Sequence, residues 1–247
     1  MKIIADTNIW YYLSQESQLL EKSLQLPIYP TFINIYELSK SHNLIDNEEL
    51  SRAAIRMLFK FQKYVILEPP IIHIAKLHQK YDYNPLDDVL DLLQFTERFA
   101  KGYRLDRGRI DDFKKILDKT KSEFEEAANF MNEEAERIRK NITDKKKHKN
   151  IDTHQVTAGF INFAVEVVTK GSCNLNQFDL NKIELLIRTL DHFFKTLETS
   201  KMKFQANDWY DFTILGYVQP GDKYWTREKR WINLITEAGC EEYLYKE

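Results

Sequence analysis

The sequence predicts an α/β protein: a short parallel sheet interrupted by a large α-helical insertion. Three observations carry this. Strand-like and helix-like runs alternate near both ends of the chain, which is the pattern of parallel sheets. Between residues 84 and 200, long amphipathic helical patterns recur and little resembles a strand. Only 7 Gly and 6 Pro occur in 247 residues, well below average usage, so the chain is helix-rich with few irregular loops. Residues 1–83 and 201–247 are expected to form one discontinuous α/β domain, with 84–200 looped out of it.

Taken in order, residues 2–6 (Lys-Ile-Ile-Ala-Asp) read as a buried parallel strand ending on a carboxylate. Thr7-Asn8 opens a helix carrying Ile9, Trp10, Leu13 and Leu20, and a second short strand is expected near Ile28, broken by Pro30. Residues 31–42 and 47–64 read as helices, the second with Leu50, Ala53, Ala54, Met57, Leu58 and Phe61 at helical spacing. Residues 65–67 are strand-like or a helix exit, and Pro69-Pro70 starts a further helix, where proline is tolerated. Helices follow over 86–99, 111–139 and 180–197, with an exposed turn or loop after Arg139. At the end, a helix from Asn207 stops at Pro220-Gly221, residues 223–226 form a strand, and a final helix over 228–238 ends at Gly239. Residues 240–245 suit an edge strand.

The composition narrows the class. At 43% hydrophobic residues the chain can bury a sizeable core, and its 36 Lys and Arg against 38 Asp and Glu leave no global basic field, so any nucleic-acid contact must be local. Cys173 and Cys240 form neither a CxxC pair nor a disulfide framework and read as thiols in a reducing compartment. Asp6 cuts the apolar start before it resembles a signal peptide, and no window approaches a membrane span. A cytoplasmic protein without membrane contact is expected.

Four acidic positions stand out by placement. Asp6 sits at the carboxyl end of the first strand, where open α/β sheets place ligands. Glu37 lies in the second helical run, Asp211 in the first turn of the helix after the insertion, and Glu228 just beyond the next strand. Carboxylates gathered at one sheet edge repel one another and raise each other's pKa values. A hard divalent cation removes that penalty, and oxygen-only ligands suit Mg²⁺ or Mn²⁺.

These segments also carry a resemblance. Ile3-Ile4-Ala5-Asp6-Thr7-Asn8 resembles the opening strand and D-T-N turn of PIN-domain proteins, and Tyr36-Glu37-Leu38 is similar to their second acidic position. The run from Asn207 through Asp208 and Asp211 to Tyr217 looks like their third motif, and Tyr224-Trp225-Thr226-Arg227-Glu228 like their strand followed by T-x-D. The resemblance covers residues 1–80 and 201–247. It implies a three-layer α/β/α fold and an endoribonuclease, less often a DNA nuclease, using one or two Mg²⁺ or Mn²⁺ ions. By resemblance Asp6, Glu37 and Asp211 would be metal ligands and catalytic, with Glu228 as the fourth acid. Asn8 would orient Asp6 or a bound water, Thr226 would hold the fourth acidic segment, and a protein partner such as an antitoxin is compatible with the family. Glu228 departs from the usual Asp, which puts a second metal in doubt, and the long insertion departs from compact members.

Each residue also has a plainer reading. Asp6 is a favoured N-cap type, Glu37 suits a solvated helix face, Glu228 suits a helix start, and Asp208 with Asp211 forms a capping-like D-x-x-D pair, Asp208 being the better cap. Asp222 reads as a turn residue, Asp87, Asp88 and Asp91 as a solvated helix start, and His73 and His78, five apart, as bystanders. Seven Lys or Arg lie between 137 and 149, so Lys145, Lys146, Lys147 and Lys149 are candidates for a nucleic-acid backbone, against a merely solvated basic loop. The main rival function is a degenerate PIN-like module that binds nucleic acid or protein without cleaving. An aspartyl phosphatase at Asp6 would need D-x-D, and the third residue is Asn8.

Overall fold

A computed structural model describes residues 1–78, 87–104, 107–175 and 178–247. Strand β1 (Ile3–Ala5) runs into α1 (Thr7–Gln15) and α2 (Ser17–Ser23), followed by β2 (Ile28–Tyr29) and α3 (Phe32–Ser39). Then come α4 (Asn43–Asp46), α5 (Glu48–Lys60), α6 (Pro70–His78), α7 (Asp87–Ala100) and the 35-residue α8 (Arg107–Asn141). After these, α9 (Lys145–Lys149), α10 (His154–Val168) and α11 (Glu184–Thr199) lead to α12 (Asp208–Leu215), β3 (Lys223–Trp225) and α13 (Lys229–Glu237). The protein is a mostly helical α/β structure around a three-stranded parallel sheet of order β2-β1-β3.

The register places Ile3 beside Ile28 and Lys223, Ile4 beside Tyr224, and Ala5 beside Trp225. Side chains alternate between faces with period two, and the two hydrophobic cores divide accordingly. Ile4 and Tyr224 belong to one core; Ile3, Ala5, Ile28 and Trp225 belong to the other. Helices α1, α3 and α5 build the second core, and α7 packs on α3 and α5. In the first, Phe193 of α11 meets Phe212 of α12 edge-on at 4.7 Å, and Phe212 meets Trp231 of α13 at 4.8 Å. Residues expected as an insertion thus contribute to both cores, α8, α10 and α11 to the first and α7 to the second.

The structure departs from the expected elements at several places. The helix expected through Leu20 breaks at Glu16, whose backbone is extended and whose carboxylate binds Arg227 at 2.6 and 3.2 Å. Residues 65–67 make one parallel bridge, Ile66 to Thr31, before Pro69 and Pro70 end any ladder. Instead of an edge strand, Glu241–Tyr243 forms a 3₁₀ turn and only Leu244 bridges Tyr224. The loop expected after Arg139 contains α9, capped by Asp144, whose Oδ1 accepts the Lys147 N–H at 3.0 Å. Helix α10 is amphipathic by burial but not by composition: Thr157, Ile161 and Val165 face inward while Val156, Phe163 and Val167 face solvent. Gly239 closes α13 with φ +72°, and a Cβ there would stand 2.6 Å from an Arg188 nitrogen. Among the described residues, no helix is long and apolar enough to cross a membrane.

Candidate metal centre

Parallel pairing of β1 with β3 builds the first half of the site. Because Ala5 lies beside Trp225, the next residues out, Asp6 and Thr226, are neighbours at the carboxyl edge. The Asp6 N–H donates to the Trp225 carbonyl at 2.8 Å, and the Thr226 hydroxyl donates to Asp6 Oδ2 at 2.8 Å. Thr226 Oγ1 also accepts the Glu228 N–H at 3.1 Å, so one hydroxyl joins the first and fourth acidic segments. Asp6 occupies the N-cap position of α1 without a side-chain capping bond and is only 3% exposed. Its carboxylate is held by Thr226, and the Thr7 and Asn8 amides at the start of α1 favour its ionised form.

The second half comes from α3. A capping box joins Thr31 and Asn34, with the Thr31 side chain accepting the Asn34 N–H. The buried Asn34 amide then donates to the Ala5 carbonyl at 3.0 Å and to Thr7 Oγ1 at 3.1 Å. The Thr7 hydroxyl in turn donates a hydrogen bond to Glu37 Oε2. Asn34 and Thr7 therefore set Glu37 relative to Asp6, a support that sequence reading missed. The T-x-x-N pattern at the start of α3 was its only signal.

Asp6, Glu37, Asp211 and Glu228 all line one cleft of about 480 Å³. Burial, with help from the Glu228 charge, lifts Asp6 to about 6 despite the opposing Thr226 hydroxyl and the Thr7 and Asn8 amides. Burial, then the charges of Asp6 and Glu228, lifts Glu37 to about 8 against its Thr7 hydrogen bond. Asp211 is held well above the ordinary carboxylate range by burial and by the charges of Asp6, Glu37, Glu228 and Asp208. Among the described residues, none donates a hydrogen bond to the Asp211 side chain. Exposed Glu228 lies at the N-cap of α13 without a side-chain capping bond.

Asp208 has a different role from the helix cap expected of it. Its two oxygens take both terminal nitrogens of Arg230, at 2.7 and 2.8 Å, and Oδ2 also accepts the Gln205 N–H at 2.8 Å. At 1% exposure it locks α12 to α13 in a fork-to-fork pair, a geometry set by a residue 22 positions away that no local pattern reveals. That pair also occupies Arg230, so it is not free to neutralise the other four acids.

The remaining candidates are dispersed. Asn8 is exposed and lines the cleft, and its backbone amide favours ionised Asp6. Lys145, Lys146, Lys147 and Lys149 sit on α9, which packs on α11; none of them lines the acidic cleft. Its cations are Lys40, Lys121 and Arg230. Asp222 is a turn residue at the other end of β3 and accepts the Lys2 N–H at 2.7 Å. Asp91 is exposed; the side chains of Asp87 and Asp88 lie outside the described residues, as do Asn84 and Pro85. Half-buried His73 lies tilted against Tyr217 with ring centroids 5.0 Å apart and is pushed down to about 4 by desolvation, while His78 packs edge-on against Phe178. Both cysteines are free and buried.

The donor set is four carboxyl groups, three of them raised in pKa chiefly by burial, and an all-oxygen acidic set of this kind fits a hard divalent cation that would favour their ionised forms. Among the described residues, no group of three or more His, Cys, Asp or Glu is already drawn together as a ligand set. That spacing is compatible with Mg²⁺, which keeps several waters and is often held by only one or two carboxylates. Compared with known protein families, known proteins and solved structures, the chain gives no match.

Proposed function

We propose that this protein is a Mg²⁺- or Mn²⁺-dependent endonuclease that hydrolyses phosphodiester bonds in single-stranded RNA, built as a PIN-like three-layer domain. The observation that carries the reading is the convergence of Asp6, Glu37, Asp211 and Glu228, from four separate segments, on one cleft at the carboxyl edge of a parallel sheet. Uncompensated, such a cluster costs stability, and its retention is explained by a cation that uses it. The four segments are also those that resemble PIN-domain motifs.

When bound, the ion supplies positive charge and Lewis acidity beside a phosphodiester. The chain's own groups prepare the site for it. Thr226 holds Asp6 Oδ2, and the Thr7 and Asn8 amides favour its charged form. Thr7 fixes Glu37 Oε2, and a bound cation would offset the burial that raises this carboxyl to about 8. Asp211, with no donor of its own, is the carboxylate that gains most from a cation.

One observation favours a second reading, a non-cleaving PIN-like module: Glu37 is engaged by Thr7, and among the described residues no three acids are drawn together. Cleavage of single-stranded RNA in Mn²⁺ decides between them. Wild-type protein cleaves, and Asp6→Asn protein, shown by a cooperative melt to be folded, loses the activity. Undiminished cleavage by purified Asp6→Asn removes Asp6 from the mechanism; no metal-dependent cleavage by the wild type leaves the binding module.

A further inference from the structure

The wall of the cleft that faces the acids comes from α8, within the segment that the PIN resemblance does not cover. Leu117, Thr120, Lys121 and Phe124 line it. Phe124 packs on Tyr210 with ring centroids 4.9 Å apart, and Tyr210 in turn lies 5.7 Å from Tyr36. At the rim, His42 meets Asp118 of α8 at 3.0 Å and ties this wall to the α3–α4 turn. Two of the cleft's cations are available. Lys40 has no ion pair among the described residues, and Lys121 meets Glu125 only at 3.8 Å on an exposed helix surface, a contact worth little.

Resting on the nuclease reading, we propose that α8 is the substrate-gripping wall: Lys121 with Lys40 takes backbone phosphates, and Phe124, backed by Tyr210, stacks an unpaired base of single-stranded RNA. The charge layout favours this. The acids lining the cleft would seat a cation, while Lys40 and the weakly paired Lys121 of the same lining are left to take flanking phosphates. The aromatic layout selects the strand state, because a half-buried ring can stack only a base whose face is not already covered by its neighbours in a helix.

The test is equilibrium binding of labelled oligouridylate, and of the same backbone lacking bases, measured across a salt series in Ca²⁺ and again in EDTA. The Lys40→Ala, Lys121→Ala double variant should lose about 1.4 from the log–log salt slope, at about 0.7 per phosphate contact. Phe124→Ala should weaken oligouridylate binding about 5- to 150-fold, the range for losing one stacked base, and leave the abasic strand unaffected. Phe124→Leu keeps apolar bulk against Tyr210 and should fall with Phe124→Ala, whereas Phe124→Trp should bind like wild type. An unchanged slope, equal losses on both strands, a Leu variant that binds normally, or no binding by the wild type overturns the proposal. Cleavage in Mn²⁺ is scored separately: binding that depends on Lys121 and Phe124 without cleavage sinks the nuclease and keeps the wall, and cleavage indifferent to them does the reverse.

Discussion

Asp208 and Asp211 lie one turn apart on the same helix, yet their amide variants should move stability in opposite directions. Asp208→Asn removes one charge from a two-point pair whose acid is 1% exposed and whose Arg230 side chain is 28% exposed. Breaking a buried pair by removing one partner costs about 3–5 kcal/mol. Partial solvation of Arg230 and the surviving amide oxygen bring this to about 2–3 kcal/mol. For a chain of this size each kcal/mol moves Tm by about 2–4 °C, so Tm should fall by about 4–12 °C. Asp211→Asn instead removes a desolvated charge that lacks a donor and faces other acids. The relief should be about 1–3 kcal/mol, the usual cost of an unsatisfied buried group. Because folding raises the Asp211 pKa, its ionisation favours the unfolded chain; the advantage of Asp211→Asn over the wild type should grow as pH rises and vanish in strong acid. The assay is a thermal melt of the three proteins in EDTA at several pH values, with cleavage measured in Mn²⁺. Asp211→Asn should be more stable and inactive. A melt in which both variants shift the same way, or in which Asp208→Asn is the more stable, would refute the division of roles between the two carboxylates.

Three further outcomes follow from the cluster. Folding raises Glu37 from 4.5 to about 8 and Asp6 from 3.8 to about 6, so each contributes stability that is lost as pH rises through its folded value. In EDTA, Tm should therefore fall by several degrees between about pH 4 and 8, Asp6 acting in the lower part of that range and Glu37 across it, and level off above; Mn²⁺ should flatten the decline, and a pH-independent melt without metal contradicts the electrostatic account. Thr226→Val removes the hydroxyl that lowers the Asp6 pKa, so the acid limb of the cleavage profile should move to higher pH, while Thr226→Ser restores it. Asn34→Leu breaks the chain from Ala5 through Thr7 to Glu37 and strands buried polar groups at a cost of about 1–3 kcal/mol each; a melt unchanged from wild type would show that this chain does not hold α3.

Much of the frame was legible because short-range patterns encode it. The apolar run ending in Asp6 is β1, the prolines at 69 and 70 open α6, and Gly239 closes α13, each through local backbone chemistry. The alternation of strands and helices at both ends similarly marked the parallel sheet, and placement on those elements singled out all four acids. Patterns carrying no local contrast failed. Helix α10 shows apolar residues on its solvent face, so composition could not separate inside from outside, and the break at Glu16 coincides with its pairing to Arg227 from the far end of the chain, which no local pattern signals.

The sequence by itself determined which residues could bear the chemistry: Asp6 at a strand end, Glu37, Asp211 and Glu228 on the elements that follow, and a basic run at 145–149. Only the tertiary structure decided how they are used. It put Asp208 on Arg230 and left Asp211 facing the acids, set Asn34 and Thr7 behind Glu37, moved the basic run onto α11 away from the cleft, and brought Lys121 and Phe124 of α8 to its wall. The reason is physical. Local sequence sets backbone state through contacts a few residues apart, whereas a carboxylate's partner and burial come from packing between segments up to 220 residues distant, as between Asp6 and Thr226.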